Sequence, residues 1–390
     1  MTPGPTEASE RVLAAMMRPA VYHYDPRFVE TFIETTELLE AIFQTRNNIV
    51  LIPGSGRVGL ETSVLSVTEP KDKVLTVISG VFSTWFRDMV LRHGGTPIVL
   101  ASEWGMPIDV AKIEAALDDD PDIKAVTMVH NETSTAAVNP IEEVGDVVMK
   151  HDAVFIVDTV SSMGGIEVRT DDWHIDLCAT APQKAIGALL GVAIVAVSEK
   201  AWKAMEARQQ PAASYAFDLL KWKQTWFAKE RGGLLLKGRR SFPVLPPTHT
   251  IFALNEACKI ILEEGLETRF QRHRIAGSAV REGLRALSLN LFADPVIASN
   301  TVTCIRNPRG IQDAEVRRRL LAEHGIMIAG GMGELSGTTM RIGHMGNTAT
   351  PSCVLPTLLA LEHVLGELGH HLEPGAGVEA ASRVFSGRRT

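Results

Sequence analysis

Three stretches of the sequence carry residue types whose placement points to chemistry. The first, Cys178-Ala179-Thr180-Ala181-Pro182-Gln183-Lys184, ends in a lysine followed by Ala-Ile-Gly-Ala-Leu-Leu-Gly, with no acidic partner nearby in sequence. An amine held among small and apolar residues has its pKa lowered by desolvation, as an imine-forming group requires. Taken alone, a loop lysine more often snorkels to solvent. The second stretch, Val154-Phe155-Ile156-Val157-Asp158, puts an acid at the end of an otherwise apolar run. Ligands of open α/β sheets bind off the carboxyl ends of strands, so Asp158 points to where chemistry occurs, with a helix cap as the alternative. The third, Gly54-Ser55-Gly56-Arg57-Val58-Gly59, matches G-x-G-x-x-G. Such a turn offers backbone N–H groups and a helix N-terminus to an anion. A dinucleotide also expects an acid ~20 positions on, at the end of the second strand. Asp72 has roughly that spacing but precedes the second apolar run, so it is misplaced for a ribose. A monophosphate remains open, as does a tight turn without a ligand.

Taken together, an anion turn, a strand-end aspartate and an apolar-loop lysine are the three contributions that pyridoxal phosphate asks of a protein. The elements that must position them follow from the hydrophobic pattern. Short apolar runs fall at residues 49–52, 74–78, 97–100, 125–129, 154–157, 177–180 and 192–197. Amphipathic segments separate them at 58–67, 83–92, 110–117, 141–150 and 199–207. Strands apolar on both faces and alternating with helices indicate a mostly parallel sheet covered on both sides. Residues 214–245, rich in Trp, Lys, Arg and Gly, lack clean periodicity and read as an excursion over the surface or into an interface. Beyond them the spacing predicts helices over 250–264, 312–324 and 354–368 and strands over 300–305 and 340–342, with a loosely ordered tail over 379–390.

At 390 residues the chain can bury a substantial core, and ~150 residues per domain suggests two or three domains. A formal charge of −7 argues against a general nucleic-acid binder. Four scattered cysteines lack metal-ligand spacing, no apolar run reaches the ~18 residues of a membrane helix, and no secretory signal is visible, so a cytoplasmic, reduced protein without a metal is expected.

The sequence resembles the class V, fold-type I pyridoxal-phosphate aminotransferases, the alanine–glyoxylate, serine–glyoxylate and pyridoxamine–pyruvate group. The likeness runs from Thr2-Pro3-Gly4-Pro5-Thr6 through Tyr24-Asp25-Pro26, the glycine turn, Ser79-Gly80-Val81-Phe82, His130-Asn131-Glu132-Thr133-Ser134-Thr135, the Asp158 run and Gln183-Lys184 to Met340-Arg341-Ile342-Gly343-His344-Met345-Gly346. It implies an N-terminal arm (1–15), a large α/β domain with a seven-stranded mostly parallel sheet (16–255), a small C-terminal α+β domain (256–390), and a homodimer. It further implies pyridoxal 5'-phosphate as cofactor and transfer of an amino group from a small donor to pyruvate or glyoxylate. Lys184 and Asp158 are the implied catalytic residues. Backbone groups of Ser55, Gly56 and Arg57, helped by Gln183, are expected to hold the phosphate, Phe82 to stack on the ring, and Thr133 to bond near its phenolic oxygen. Arg341 is expected to clamp the substrate carboxylate, a task suited to a planar bidentate donor, and His344 to support that loop.

Some positions depart from the family pattern. Phe242 and Leu245 stand where many relatives carry a tyrosine and a threonine that reach the phosphate of the neighbouring subunit, so both hydroxyls are absent. Leu189-Leu190 replaces a frequent proline pair, and Met332 stands where pyridoxamine–pyruvate transaminase has a second arginine. That enzyme, which uses the vitamin itself as substrate, is the alternative reading. A desulfurase or lyase is disfavoured because residues 330–337 contain no cysteine. A dinucleotide oxidoreductase is disfavoured by Asp72, and a plain binding protein by the cost of a buried unpaired lysine.

Overall fold

The computed structural model describes residues 1–227 and 240–387. The large sheet is built from β1 (Asn48–Gly54), β2 (Lys73–Ile78), β3 (Thr96–Ala101), β4 (Ile123–Val129), β7 (Val154–Asp158), β8 (Leu177–Thr180) and β9 (Gly191–Val197), with a short hairpin of β5 (Asn131–Glu132) and β6 (Ala137–Val138) following the carboxyl end of β4. The spatial order is β1-β9-β8-β7-β4-β2-β3. Strand β9 runs antiparallel to both neighbours, while β8, β7, β4, β2 and β3 are parallel. The reason is length: residues 181–190 are too few for a crossover, which needs a dozen or more, so the chain turns back beside β8. That returning connection carries Lys184.

The centre of the sheet is covered on both faces, while the edge strand β3 stays partly exposed. Every residue of β7 and β8 is buried, as their continuous apolar runs demand. Covering helices are α1 (Glu10–Ala15), α2 (Pro26–Phe43), α3 (Gly56–Val67), α4 (Val81–Arg92), α5 (Val110–Asp119), α6 (Ile141–Val148), α7 (Glu199–Glu206), α8 (Leu219–Thr225) and α9 (Thr248–Glu264). Helix α2 has strong start signals: Asp25 accepts from the Arg27 N–H, Pro26 opens the first turn, and Phe28, Phe32, Leu39 and Phe43 recur on the buried face. Residues 214–245 differ from the expected surface excursion where they are described. Leu219, Trp222, Trp226 and Phe242 are buried in the main core, with Phe242 stacked on Trp226 at 4.3 Å, so the aromatic residues that break periodicity are anchors. Residues 228–239 of that segment lie outside the described residues.

A second core lies on a small antiparallel sheet of β10 (Val302–Arg306), β11 (Ala329–Gly330) and β12 (Thr339–Gly343), ordered β10-β12-β11. It is packed by α10 (Leu266–Ala286), α11 (Asp313–His324), α12 (Pro351–Glu367) and α13 (Ala376–Phe385), around Leu284, Ile305, Leu320, Ile342 and Leu361. Of the expected loose tail, residues 379–385 belong to α13, and residues 388–390 lie outside the described residues. Ala381 is fully buried, and Gly377 fits against Leu287, where a side chain would collide.

Candidate active site

One cavity off the carboxyl ends of β4, β7 and β8 is lined by Ser55, Gly56, Arg57, Phe82, Thr133, Asp158, Gln183 and Lys184, joined by Leu60, Trp85, Val129, Asn131, Val160 and Ser161. The eight residues expected to hold a cofactor therefore share one wall-to-wall space. Arg341 stands beside it, bonded to the carbonyl of Thr133 at 3.3 Å.

The turn after β1 is shaped by two glycines. Gly54 has φ +144°, a conformation that side chains rarely adopt, and a Cβ on Gly56 would stand 2.8 Å from Val160 and 3.0 Å from Ala181. Helix α3 thereby begins hard against β7 and β8. Its N-cap, Ser55, makes no side-chain capping bond, so the first N–H groups are left for a ligand in the cavity. The Arg57 side chain is engaged elsewhere, with its guanidinium 3.9 Å over the Trp85 ring, consistent with a contribution through its backbone only. Asp72 is remote from this role: its carboxylate accepts from the Glu69 N–H within its own turn.

Asp158 ends β7 opposite Val129 of β4 and Ala179 of β8. One oxygen accepts from the Val160 N–H at 2.7 Å; among the described residues the other has no protein partner. Burial pushes this carboxyl up to about 7, with the Val160 bond opposing and Glu132 adding to the rise. Lys184 moves the other way. Burial, reinforced by the Arg341 charge and opposed by Asp158, lowers it to about 8. Beside it, the Gln183 side-chain oxygen is buried without a hydrogen-bond partner. An uncapped helix start, a half-used carboxylate and an amine of lowered basicity fit the phosphate, ring and aldehyde of pyridoxal 5'-phosphate, and the Gln183 amide N–H can donate to the phosphate where its own orphaned oxygen cannot.

Arg341 comes from β12. Its Nε donates to the Gly330 carbonyl at 2.9 Å and Nη1 to the Thr133 carbonyl, which leaves Nη2 without a hydrogen-bond partner among the described residues. Burial lowers its pKa, yet a guanidinium stays charged. His344 is buried, with Nε2 2.8 Å from the Thr303 hydroxyl and Nδ1 3.1 Å from the Asn300 carbonyl oxygen, which suits loop support. Burial holds it down at about 3, so it stays neutral. Cys178 and Cys304 are poor nucleophiles, pushed up to about 12 and about 11 by burial.

Sequence reasoning missed two contributors. Glu132 is fully buried and caps the start of α4, accepting from the N–H groups of Phe82 (3.3 Å) and Ser83 (3.0 Å) and thereby fixing the Phe82 wall. Its signal was an acid among small residues beside Thr133. The other is the N-terminal arm, which runs through the site. Lys184 Nζ donates to the Pro3 carbonyl, Thr6 bonds the carbonyls of Gln183 and Lys184, and the Gly343 N–H donates to the Met1 carbonyl at 2.9 Å. The Thr133 hydroxyl is occupied by Ser161 at 2.5 Å.

Comparison with known proteins agrees with this geometry. The sequence model of the family described as "Aminotransferase class-V" matches residues 5–349. The chain is 40% identical over 385 residues to an uncharacterized aminotransferase of Methanocaldococcus jannaschii, covering 99% of this chain and 97% of that protein. It is 36% identical over 404 residues to the (S)-ureidoglycine–glyoxylate transaminase of Bacillus subtilis, covering 99% and 94%. Among solved structures, the pyridoxamine–pyruvate aminotransferase of Mesorhizobium loti matches with a TM-score of 0.92 at 32% identity, covering 100% of this chain and 97% of that one.

Proposed function

The chain belongs to the class-V aminotransferase family and moves an amino group from a small donor to a 2-oxo acid, and from that premise we propose that it does so on pyridoxal 5'-phosphate held by Lys184, with pyruvate or glyoxylate as acceptor. The observation that carries this reading is the pairing of Lys184 and Asp158 in one buried cavity, with their pKa values drawn to about 8 and about 7. When bound, the cofactor supplies an aldehyde carbon to carry the amino group and a ring to accept electrons.

The chain's own residues do the rest. Lys184, partly neutral near pH 7, is the nucleophilic amine and the group that takes up and returns the substrate α-proton at Nζ. Asp158 keeps a proton on the ring nitrogen by accepting its hydrogen bond, and a cationic partner there holds the carboxylate ionised despite burial. The uncapped N–H groups at Ser55, Gly56 and Arg57, with Gln183, bind the phosphate, and Phe82 packs on the ring. Arg341 orients the substrate carboxylate, and a single such clamp favours small monocarboxylic acceptors.

Relatives named for glyoxylate and for pyruvate chemistry support both acceptors. The likeness to the pyridoxamine–pyruvate enzyme keeps free pyridoxamine in play as a substrate. A homodimer is part of the reading, supported by exposed Met17, Tyr22 and Leu245 on segments that touch one another through Arg18–His249 and Tyr24–Phe242. Light scattering after size exclusion tests it: a mass near 42 kDa would reject the dimer, and twice that mass would support it.

The deciding experiment is the absorption spectrum of protein loaded with pyridoxal phosphate, desalted and mixed with L-alanine, followed by glyoxylate or pyruvate. Loss of the visible band and its return with the oxo acid is the expected result. A visible band that ignores every small donor rejects small-donor transfer. No band after desalting, with turnover of free pyridoxamine plus pyruvate, selects the vitamin-using alternative.

A further inference from the structure

Helix α10 bonds through its first two turns to the segments that follow each of the three chemical residues. Arg269, whose side chain is 2% exposed, donates from Nε to the Gly164 carbonyl at 2.7 Å, just beyond Asp158 in the chain. Its Nη2 donates to the carbonyl of Ala185 at 2.6 Å, immediately after Lys184. One turn on, Arg272 donates to the Gly346 and Ala349 carbonyls at 2.9 and 3.1 Å. His273 donates from Nδ1 to the Arg269 carbonyl at 2.8 Å, so its Nε2 accepts the Gly346 N–H at 2.9 Å, in the turn that follows Arg341. That turn touches the lysine loop directly, since a Cβ on Gly346 would stand 3.2 Å from the Lys184 carbonyl oxygen. Glu264 neutralises both arginines, at 2.6 Å from each.

Packing alone does not ask for this. Apolar side chains of similar size hold two layers together at least as well as a buried ion pair, which has to recover the desolvation of both charges. What directional bonds to three loops add is a fixed mutual orientation.

We propose that Arg269 is a positioning residue for amino transfer: through Ala185 and Gly164 it fixes Lys184 against Asp158, while His273 and Arg272 fix the turn behind Arg341. This rests on the roles given to Lys184, Asp158 and Arg341 above. It assigns separable effects to the two halves of the network, with Arg269 acting on the chemical step and His273 on recognition of the acceptor.

The test compares Arg269→Gln, Arg269→Lys and His273→Gln with wild type in the full chain. Three readouts are taken: kcat and KM for the oxo acid in the loaded enzyme, the pH midpoint of Lys184 labelling by an aldehyde reagent in the cofactor-free protein, and Tm. Arg269→Gln should lower kcat on the order of 100-fold, the scale of a misplacement of about 1 Å, with KM little changed. It should also move the Lys184 midpoint. Arg269→Lys, which keeps the charge beside Glu264 but can reach only one carbonyl, should fall between. His273→Gln should raise KM about tenfold with a smaller change in kcat. Variants that lose Tm yet keep wild-type kcat, KM and Lys184 midpoint would make α10 a structural strut and overturn the proposal. If Arg269→Gln does not fold, Arg269→Lys and His273→Gln decide between these outcomes by the same three readouts. An inactive wild type together with a shifted midpoint in Arg269→Lys would uphold the positioning of Lys184 and count against the aminotransfer roles instead.

Discussion

The two sides of the cavity respond to burial in opposite ways. On the large-sheet side, burial draws Lys184 down to about 8 and Asp158 up to about 7, so both groups can change protonation near neutral pH. On the small-sheet side, burial lowers Arg341 without discharging it and holds His344 neutral at about 3. The same desolvation acts throughout. An amine or a carboxyl can escape it by exchanging a proton, whereas a delocalised guanidinium retains its charge. On the proposed reading, chemistry sits on the side whose groups titrate, and recognition on the side that carries the permanent charge of Arg341.

The strongest attack on that contrast removes the titrating amine. Lys184→Ala should cut amino transfer on the order of 10³-fold or more while the chain still folds and takes up some cofactor, as single-turnover spectra would report. Wild-type turnover in this variant would end the assignment.

Asp158→Asn comes next, read as stability of the cofactor-free protein. The folded pKa lies above the unfolded value of 3.8, so this group's favourable contribution is complete below that value and is lost as pH rises through about 7. Wild type should lose about 4 kcal/mol relative to the variant between pH 4 and pH 8 in denaturant titrations. Parallel curves would mean that Asp158 is not desolvated.

On the recognition side, Arg341→Ala should raise KM for the oxo acid about tenfold and leave the cofactor spectrum nearly intact, with Arg341→Lys recovering only part. An unchanged KM for both acceptors would remove the carboxylate role. The smallest effect joins the two sides. Because Arg341 lowers the Lys184 pKa, its removal should move the midpoint for pyridoxal phosphate association upward by about a few tenths of a unit. A downward movement would show that the two charges do not face one another.

Much of this was legible in the residues. The seven apolar runs became the seven strands, and in the central ones the reason is that a strand buried on both faces must be apolar throughout. Asp158 and Lys184 were visible for a related reason, as polar residues at the ends of such runs. Helix α10 escaped notice, although it is the longest helix among the described residues, at 21 residues. Its inward face carries Arg269 and His273, both buried, so the apolar period that announces a helix is broken where the helix meets the loops beyond Asp158, Lys184 and Arg341. Glu132 and the Met1–Thr6 segment were hidden differently, since their partners lie far away in sequence.

The sequence by itself determined which segments must be buried, which turn is left open to an anion, and which residues can form a bond or hold a proton. Those properties follow from side-chain chemistry and local spacing. Only the tertiary structure decided that β9 turns back beside β8, that the N-terminal arm lies on the lysine, and that one polar helix bonds the loops beyond Asp158, Lys184 and Arg341 together. Each of these depends on contacts between segments far apart in the chain or on the direction of a strand, and an apolar run is the same whichever way it points.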